Sequence, residues 1–539
     1  MMGRVSRRMG WAAVGSACVV GGIVAALVVG AGSAAPPYVD AVAERLPPDI
    51  LVVAFAPRLD AVATFIDAVL PGYDLAAGTL GSDSAAPVAM GLLVGPGETG
   101  STGGHELVVL SYGLSTPLAA DGPLGAGVTA ERVGEATVFA RSGFRFAMVA
   151  WPDRVVLLDG DTDRFGDDVT PAPDDFGIAS GHPVAEERAV VAAARRLAEA
   201  DRARSLAGAP AFQAVFQRIS GTSAFVFGQV EPLRALLGSD RARGVVDRSD
   251  LPMVAGLLGE GEAAAVGLSI VEGTIRIDGT VLGAPGGRLF AATDDRKPPA
   301  QLRRLPGSAY HGVSVSLEMR ATLDAIERML WLSKDGRRGW EEGQRGIQQF
   351  LGIDLRRDVL EHLTGDVGYV LDGAPTTQAD LVDAIGFVGV RAPEAVSRTL
   401  WQATTGLRSS FGRFIETRTE RAGEVEITDI RTRSGQGVSV AVFADAIWVA
   451  TRPGALRSLI LAEPGPDPTG PFTGCTQTGQ LASGFVRLDP VRPALDYLLG
   501  ALDLRPELME VAHLDTAQRL CWGVSVGAHP GAGDKRAVP

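Results

Sequence analysis

Six apolar segments in the first half of this chain recur in the same order in its second half, and this repetition constrains the fold more than any other feature. The first pair opens with Leu46-Pro47 and with Leu305-Pro306. In the clearest pair, the patterns Ser-x-Phe-Val, acid-Pro-x-Arg and Leu-Leu-Gly follow one another at residues 223–238 and again at 483–500. Because a repeated order of segments indicates a repeated structural unit, the sequence predicts a tandem duplication.

The duplication divides the chain into predicted segments. We expect a transmembrane anchor or signal segment at 1–35, a linker at 36–45, a first repeat at 46–293 with an insert at 159–220, a second linker at 294–304, a second repeat at 305–528 and a disordered tail at 529–539. The second linker contains Lys297-Pro-Pro299, and the tail is polar and rich in glycine, which is typical of segments outside a packed core.

Each repeat predicts an α+β domain. Apolar and polar residues alternate in Thr274-Ile-Arg-Ile-Asp278, as in a strand, and Glu272-Gly273 before it predicts a hairpin turn. Tight turns between strands favour antiparallel pairing, because parallel pairing needs long crossovers. The predicted fold is therefore two tandem homologous domains, each a curved antiparallel sheet covered by helices, preceded by one N-terminal transmembrane helix.

The N-terminal segment predicts export. Three arginines precede an apolar run from Gly10 to Ala35, which is long enough to span a bilayer as a helix. The positive-inside rule places these arginines in the cytoplasm and the bulk of the chain in the periplasm or at the cell surface. We therefore expect an uncleaved membrane anchor, with the membrane as a partner. A cleaved signal ending near Gly32-Ser-Ala34, followed by secretion, is the alternative.

Motif searches favour a protein without catalytic residues or cofactors. The chain has no phosphate-binding Gly-x-x-x-x-Gly-Lys loop and no His-Glu-x-x-His metal motif. Gly523-Val-Ser-Val-Gly527 matches the nucleophile elbow, but it lies in the predicted last strand, whereas an elbow joins a strand to a helix. Glu361 and His362, beside Asp358, are interpreted as a polar helix face. The net charge of −13 argues against nucleic-acid binding, which needs a basic surface.

One acidic stretch is a candidate for a calcium site. Asp159, Asp161 and Asp163 supply carboxylates at alternate positions, and Ca²⁺ prefers clustered oxygen ligands. Arg164 and Thr170 stand where a calcium loop needs glycine and a bidentate glutamate. We interpret the stretch as a solvated acidic loop, with calcium binding as the alternative.

Two cysteines outside the N-terminal segment are a candidate disulfide. Cys475 lies in the approach to the predicted strand at 483–486, and Cys521 opens the last predicted strand. Disulfides persist in the exported compartments expected for this chain. If the two strands are neighbours, the Cα atoms can come within about 7 Å, as a disulfide requires. The alternative is that both are small buried apolar residues.

The repeated Leu-Pro openings, together with Phe350-Leu-Gly-Ile-Asp-Leu355 and the N-terminal export segment, resemble a family of bacterial exported proteins described only as a domain of unknown function. The resemblance covers most of residues 46–528. It implies an export segment and repeated strand-helix units, and it implies no activity.

Three functions remain open after this search. The favoured hypothesis is a non-enzymatic, membrane-anchored envelope protein with a binding or scaffold role, and with a protein partner in the envelope. The second is a carrier of a small apolar ligand or lipid between sheet and helix. The third is a hydrolase-like enzyme whose site is assembled from residues that are distant in sequence.

Overall fold

The computed structural model describes residues 37–56, 86–95, 105–114, 128–141, 146–159, 184–219, 222, 224–231, 259–284, 296–332, 334–373, 383–492 and 517–527. The helices in these ranges are α1 (Pro37–Ala43), α2 (Val184–Glu199), α3 (Pro210–Arg218), α4 (Met319–Trp331), α5 (Lys334–Leu351), α6 (Pro393–Phe411) and α7 (Pro453–Leu461).

Strands make up most of the remaining regular structure. They are β1 (Ile50–Ala56), β2 (Val88–Gly95), β3 (His105–Gly113), β4 (Val128–Val133), β5 (Ala136–Arg141), β6 (Phe146–Ala150), β7 (Arg154–Asp159), β8 (Ala224–Gln229), β9 (Gly261–Val271), β10 (Thr274–Gly283), β11 (His311–Ser316), β12 (Leu363–Asp372), β13 (Asp383–Val390), β14 (Ile415–Ala422), β15 (Val425–Thr432), β16 (Gly437–Phe443), β17 (Ala446–Ala450), β18 (Gln480–Arg487) and β19 (Arg519–Gly527).

All nineteen strands belong to one mixed sheet. Its spatial order is β4-β5-β6-β7-β3-β2-β1-β8-β9-β10-β19-β18-β11-β12-β13-β17-β16-β15-β14. The neighbours β10 and β19 run parallel, in register from the Thr274–Arg519 pair to the Leu282–Gly527 pair. The other pairings given by this order are antiparallel.

The prediction of two tandem domains, each with its own antiparallel sheet, is therefore wrong. In separate domains, β10 and β19 would each be an edge strand with a row of unpaired backbone groups. Their pairing satisfies both rows and joins the two halves of the chain into one sheet. Local turn signals cannot reveal this ladder, since the paired segments are far apart in sequence.

The two halves of this single sheet have the same strand order. The first half reads β4-β5-β6-β7-β3-β2-β1-β8-β9, and the second reads β14-β15-β16-β17-β13-β12-β11-β18-β19. Phe225 on β8 and Phe485 on β18 are both buried in the strand that pairs with the first strand of its half. Among the described strands, β10 has no counterpart in the second half.

Two large apolar cores lie on one face of the sheet. In the first half, α2 and α3 cover a core that contains Phe55, Phe212 and Phe225. In the second half, α7 covers a core that contains Trp448 and Phe485. Along β1, Val53 and Phe55 are buried and alternate with the half-buried Val52 and Ala54, as expected of a strand with one face on a core.

The expected transmembrane helix, and with it the membrane partner and the membrane-anchored location, is also corrected. Among the residues that the structure describes, no helix is long and apolar enough to cross a bilayer. The longest of them, α5 and α6, carry charged side chains along their length, and charge at the centre of a spanning helix is costly. The apolar run Gly10–Ala35 itself lies outside the described residues.

Candidate functional site

A polar cleft lies where the two halves of the sheet meet. It has a volume of about 460 Å³, and its walls come from the end of α3, from β9, β10 and β19, and from the loop that leads into β18. The described polar side chains that line it are Arg218, Thr222, Ser269, Arg276, Asp278, Gln477, Thr478, Gln480 and Ser525. This volume lies within the range of small-molecule sites, about 300–1,000 Å³.

The cleft interrupts the apolar face of the sheet. Residues paired directly across neighbouring strands point to the same face of the sheet. One row of such residues runs across the strands from Phe55 and Phe225 through Gly267, Asp278 and Gly523 toward the second core. Apolar side chains thus flank a polar segment in the middle of the row. Because β10 alternates, Arg276, Asp278 and Thr280 lie on this face.

The opposite face stays apolar across the same junction. Ile275 and Ile277 of β10 pack there with Leu268 of β9 and Leu520 of β19. The strand pair β10–β19 therefore has an apolar side that holds the halves together and a polar side that lines the cleft.

Glycines make room for three polar side chains at the cleft. A Cβ at Gly267 would collide with Thr222, one at Gly523 with Gln480, and one at Gly527 with Arg218. Each of these polar side chains consequently lies directly over a strand backbone.

An ion pair forms the charged centre of the cleft. Nε and Nη2 of Arg276 donate to the two carboxylate oxygens of Asp278 at 2.6 and 3.0 Å. Both side chains are mostly buried, with 19% and 24% of their surface exposed. A two-bond pair of this kind fixes both groups in orientation. With Arg218, the lining carries two formal positive charges against one negative charge.

The loop at 470–480 supplies Gln477 and Gln480 to the cleft, and a disulfide ties this loop to β19. Cys475 and Cys521 are bonded, with Cα atoms 5.0 Å apart, and both are buried. Gln477 donates its backbone N–H to Oε1 of Gln480 at 2.9 Å, which orients that side chain.

Arg519 holds the start of the same loop. Its guanidinium donates to the carbonyl oxygens of Pro471 and of Thr473, the latter at 2.9 Å, and lies 4.7 Å from the ring centre of Phe485. Burial lowers the pKa of Arg519, and the nearby Arg487 lowers it further. The loop geometry is therefore set before any ligand arrives.

The residues that the motif search singled out lie in a strand and in a short helical segment. Ser525 lies inside β19, and its hydroxyl donates to the carbonyl of Gly279 at 3.4 Å. Glu361 and His362 lie in a short 3₁₀ turn, Leu360–His362, outside the cleft. Asp358 accepts from Arg357, which lowers the pKa of its carboxyl.

The calcium candidate lies mostly outside the described residues. Asp159 is the last residue of β7, whereas Asp161 and Asp163 are not described. The part of the chain that the structure describes contains no group of three or more His, Cys, Asp or Glu side chains that could hold a metal ion.

Sequence reasoning missed the cleft residues Arg218, Arg276 and Asp278. The alternation around Arg276 was visible, but alternating charged residues in a strand ordinarily indicate a solvated face. The available signal was that β10 carries two opposite charges at i and i+2 on one face, a spacing that permits a pair within the strand.

Comparisons with known proteins found one distant structural similarity. No family model matches the chain, and no curated protein matches it. One solved structure, described as crystal form IV of TP0453, is similar at 12% identity with a TM-score of 0.21, over 38% of this chain and 68% of that one. A likeness at this level carries no argument about fold or function.

Proposed function

We propose that this protein has a binding role and that the cleft at the junction takes a small, polar, negatively charged ligand. The observation that carries the proposal is the polar lining of the cleft, which lies between two apolar cores. A folded chain keeps buried polar groups only where they are paired or needed. Here Thr222, Ser269 and Gln480 add donors and acceptors around the Arg276–Asp278 pair.

The charges in the cleft favour an anion. The described lining holds the guanidinium groups of Arg218 and Arg276 and the carboxylate of Asp278, so its formal charges sum to plus one. A guanidinium offers five N–H donors, and an oxyanion can accept two of them side by side. Carboxylates and phosphates have the size and geometry that such a site recognises.

The other two hypotheses gain no support from this cleft. A carrier of an apolar ligand would need a mainly apolar wall, and the described lining is mainly polar. A hydrolase would need a nucleophile in contact with a base, and Ser525 bonds to a backbone carbonyl instead.

The test is ligand-induced stabilisation of the full chain. Inorganic phosphate and acetate are titrated while the thermal midpoint is measured, with glucose as a neutral probe. A ligand that binds only the folded state raises the midpoint. We expect a rise with at least one anion, and we expect Arg218→Gln to remove it. Arg195→Gln is the matched control, because Arg195 pairs with Glu131 on the exposed surface at 2.8 Å.

Two outcomes would contradict the proposal in different ways. A rise with glucose alone would keep a ligand site but overturn its preference for anions. No rise with any probe, by thermal midpoint or by calorimetry, would overturn the binding role of the cleft.

A further inference from the structure

The carboxylate in the cleft accepts fewer hydrogen bonds than it can. Asp278 accepts one bond from Nε and one from Nη2 of Arg276, and among the described residues no other group donates to it. A carboxylate offers about four lone-pair positions, so about two of them remain. The residues paired with Asp278 on its two sides are Gly267 and Gly523, which have no side chains to occupy these positions.

Two hydroxyl groups of the cleft already donate their only hydrogen to the backbone. Thr222 donates to the carbonyl of Ile219 at 3.1 Å, and Ser525 donates to the carbonyl of Gly279 at 3.4 Å. A hydroxyl has one hydrogen and two lone pairs. Both side chains line the cleft, and toward a ligand they therefore act as acceptors.

These three acceptors lie close together on one face of the sheet. The side chain of Thr222 occupies the space over Gly267, the partner of Asp278 on β9. Ser525 lies two residues beyond Gly523, the partner of Asp278 on β19, and two residues span about 7 Å along a strand. A carboxylate ion has no hydrogen to donate to such groups. A ligand that satisfies them must therefore carry hydroxyl or amine groups as well, because an acceptor cut off from water and left unpaired costs free energy.

Unpaired donors lie in the same lining. The hydroxyl of Ser269 has no hydrogen-bond partner among the described residues, although only 9% of Ser269 is exposed. The side-chain amide of Gln480 accepts the N–H of Gln477 through Oε1, and its Nε2 donates to no group in the described part of the chain. A hydroxyl group of a ligand both donates and accepts, so it matches a lining that offers both kinds of group.

The guanidinium of Arg276 is committed to the protein itself. Its Nε and Nη2 donate to Asp278, and its Nη1 donates to the carbonyl of Gly474 at 3.4 Å. The carboxylate of a ligand is therefore assigned to the other guanidinium of the lining, that of Arg218, which lies over Gly527.

The charge of the lining favours hydroxyl groups over amines. Its formal charges sum to plus one, so one carboxylate neutralises them. An amino acid also carries an ammonium group and would leave the positive charge of the lining uncompensated. A phosphate monoester carries about 1.5 to 2 negative charges at pH 7 and would exceed it. Complementary charge is what distinguishes a right ligand from a wrong one at a charged site.

We propose that the cleft binds a small carboxylic acid that also carries hydroxyl groups, of the sugar-acid class. Its carboxylate lies toward Arg218, and its hydroxyl groups donate to Asp278, Thr222 and Ser525. This inference rests on the proposed anion-binding role of the cleft and names the class of the ligand.

Calorimetric titration of the full chain with two acids of equal chain length tests the ligand class. Gluconate and hexanoate each have one carboxylate, and only gluconate carries hydroxyl groups. We expect gluconate to bind at least about tenfold more tightly, because hexanoate leaves the acceptors of the cleft unpaired. Hexanoate or acetate binding as tightly as gluconate would overturn the ligand class and leave the anion-binding role intact. No binding of these acids or of phosphate would overturn both.

Ser525→Ala tests the assignment of the acceptors. It removes one hydroxyl from the cleft, so it should weaken gluconate binding at least about threefold and leave hexanoate binding unchanged. Ser409→Ala is the matched control, because the Ser409 hydroxyl also donates to a backbone carbonyl, that of Gly406 at 2.9 Å, but lies on α6. It should change neither affinity. Equal weakening of both acids by Ser525→Ala, or no weakening of gluconate, would overturn the proposal.

Discussion

Phe212 shows how one residue organises the core of the first half. It is fully buried, and its ring centre lies 5.1 Å from that of Phe227 and 5.8 Å from that of Phe225. Both contacts are edge-on, the geometry that aromatic pairs favour. Helix α3 therefore docks on β8 through a specific cluster rather than through general apolar contact.

Phe212→Ala should lower the free energy of unfolding by about 3–5 kcal/mol, because it removes a buried ring and leaves a cavity. Leu461→Ala is the control, since Leu461 is 63% exposed, and should change the value by less than about 0.5 kcal/mol. Urea denaturation measures both. Equal losses would mean that Phe212 is not at the centre of a packed core.

His311 should make stability depend on pH. Burial lowers its pKa from 6.5, and within the described part of the chain its Nδ1 has no hydrogen-bond partner. A group with a lowered folded pKa contributes stability that is present above its unfolded pKa. That contribution is lost as the pH falls from about 6.5 through the folded value.

Urea midpoints measured between pH 7 and pH 5 check this dependence. Wild type should lose stability toward the acid end, and His311→Gln should lose less over the same interval. Parallel curves for the two proteins would show that His311 is equally solvated in the folded and unfolded states.

The disulfide links strand β19 to the loop that lines the cleft. Cys475 and Cys521 are 46 residues apart in sequence. The loop that they close contains Gln477 and Gln480, which line the cleft. Thiol counting on the unfolded full chain without reductant should find one reactive thiol, that of Cys18, among three cysteines. Three reactive thiols would show that Cys475 and Cys521 are not bonded.

Replacing both bridged cysteines should also weaken the fold. In the chain-entropy model, Cys475→Ala with Cys521→Ala lowers the free energy of unfolding by up to about 4 kcal/mol. Urea denaturation measures the loss, and chemically reduced wild type is the control. Unchanged stability in both proteins would show that the loop is held by Arg519 and its neighbours alone.

Local elements could be predicted from the sequence where their patterns are local. The alternating segment at 274–278 lies in β10, and Glu272-Gly273 forms the turn between β9 and β10, with a positive φ at both residues. The β10–β19 ladder could not be predicted, because no local pattern specifies which edge strand pairs with another. The cleft depends on that ladder, so Arg276 and Asp278 gave the pattern of a solvated strand face.

The whole molecule is one sheet built from two similar halves. The apolar side of the junction, with Ile275, Ile277 and Leu520, stabilises this union, and its polar side lines the proposed ligand site. If the halves were separate domains, β19 would be an edge strand and the cleft would not exist.

Amide hydrogen exchange along β19 tests this union most directly. Successive amides of a strand point to opposite neighbours, here β18 and β10. We expect slow exchange at every amide from Leu520 to Val526, because β19 has a partner on both sides. Fast exchange at every second amide, with protection only of those that bond β18, would show that β10 is not its neighbour and would contradict the single sheet.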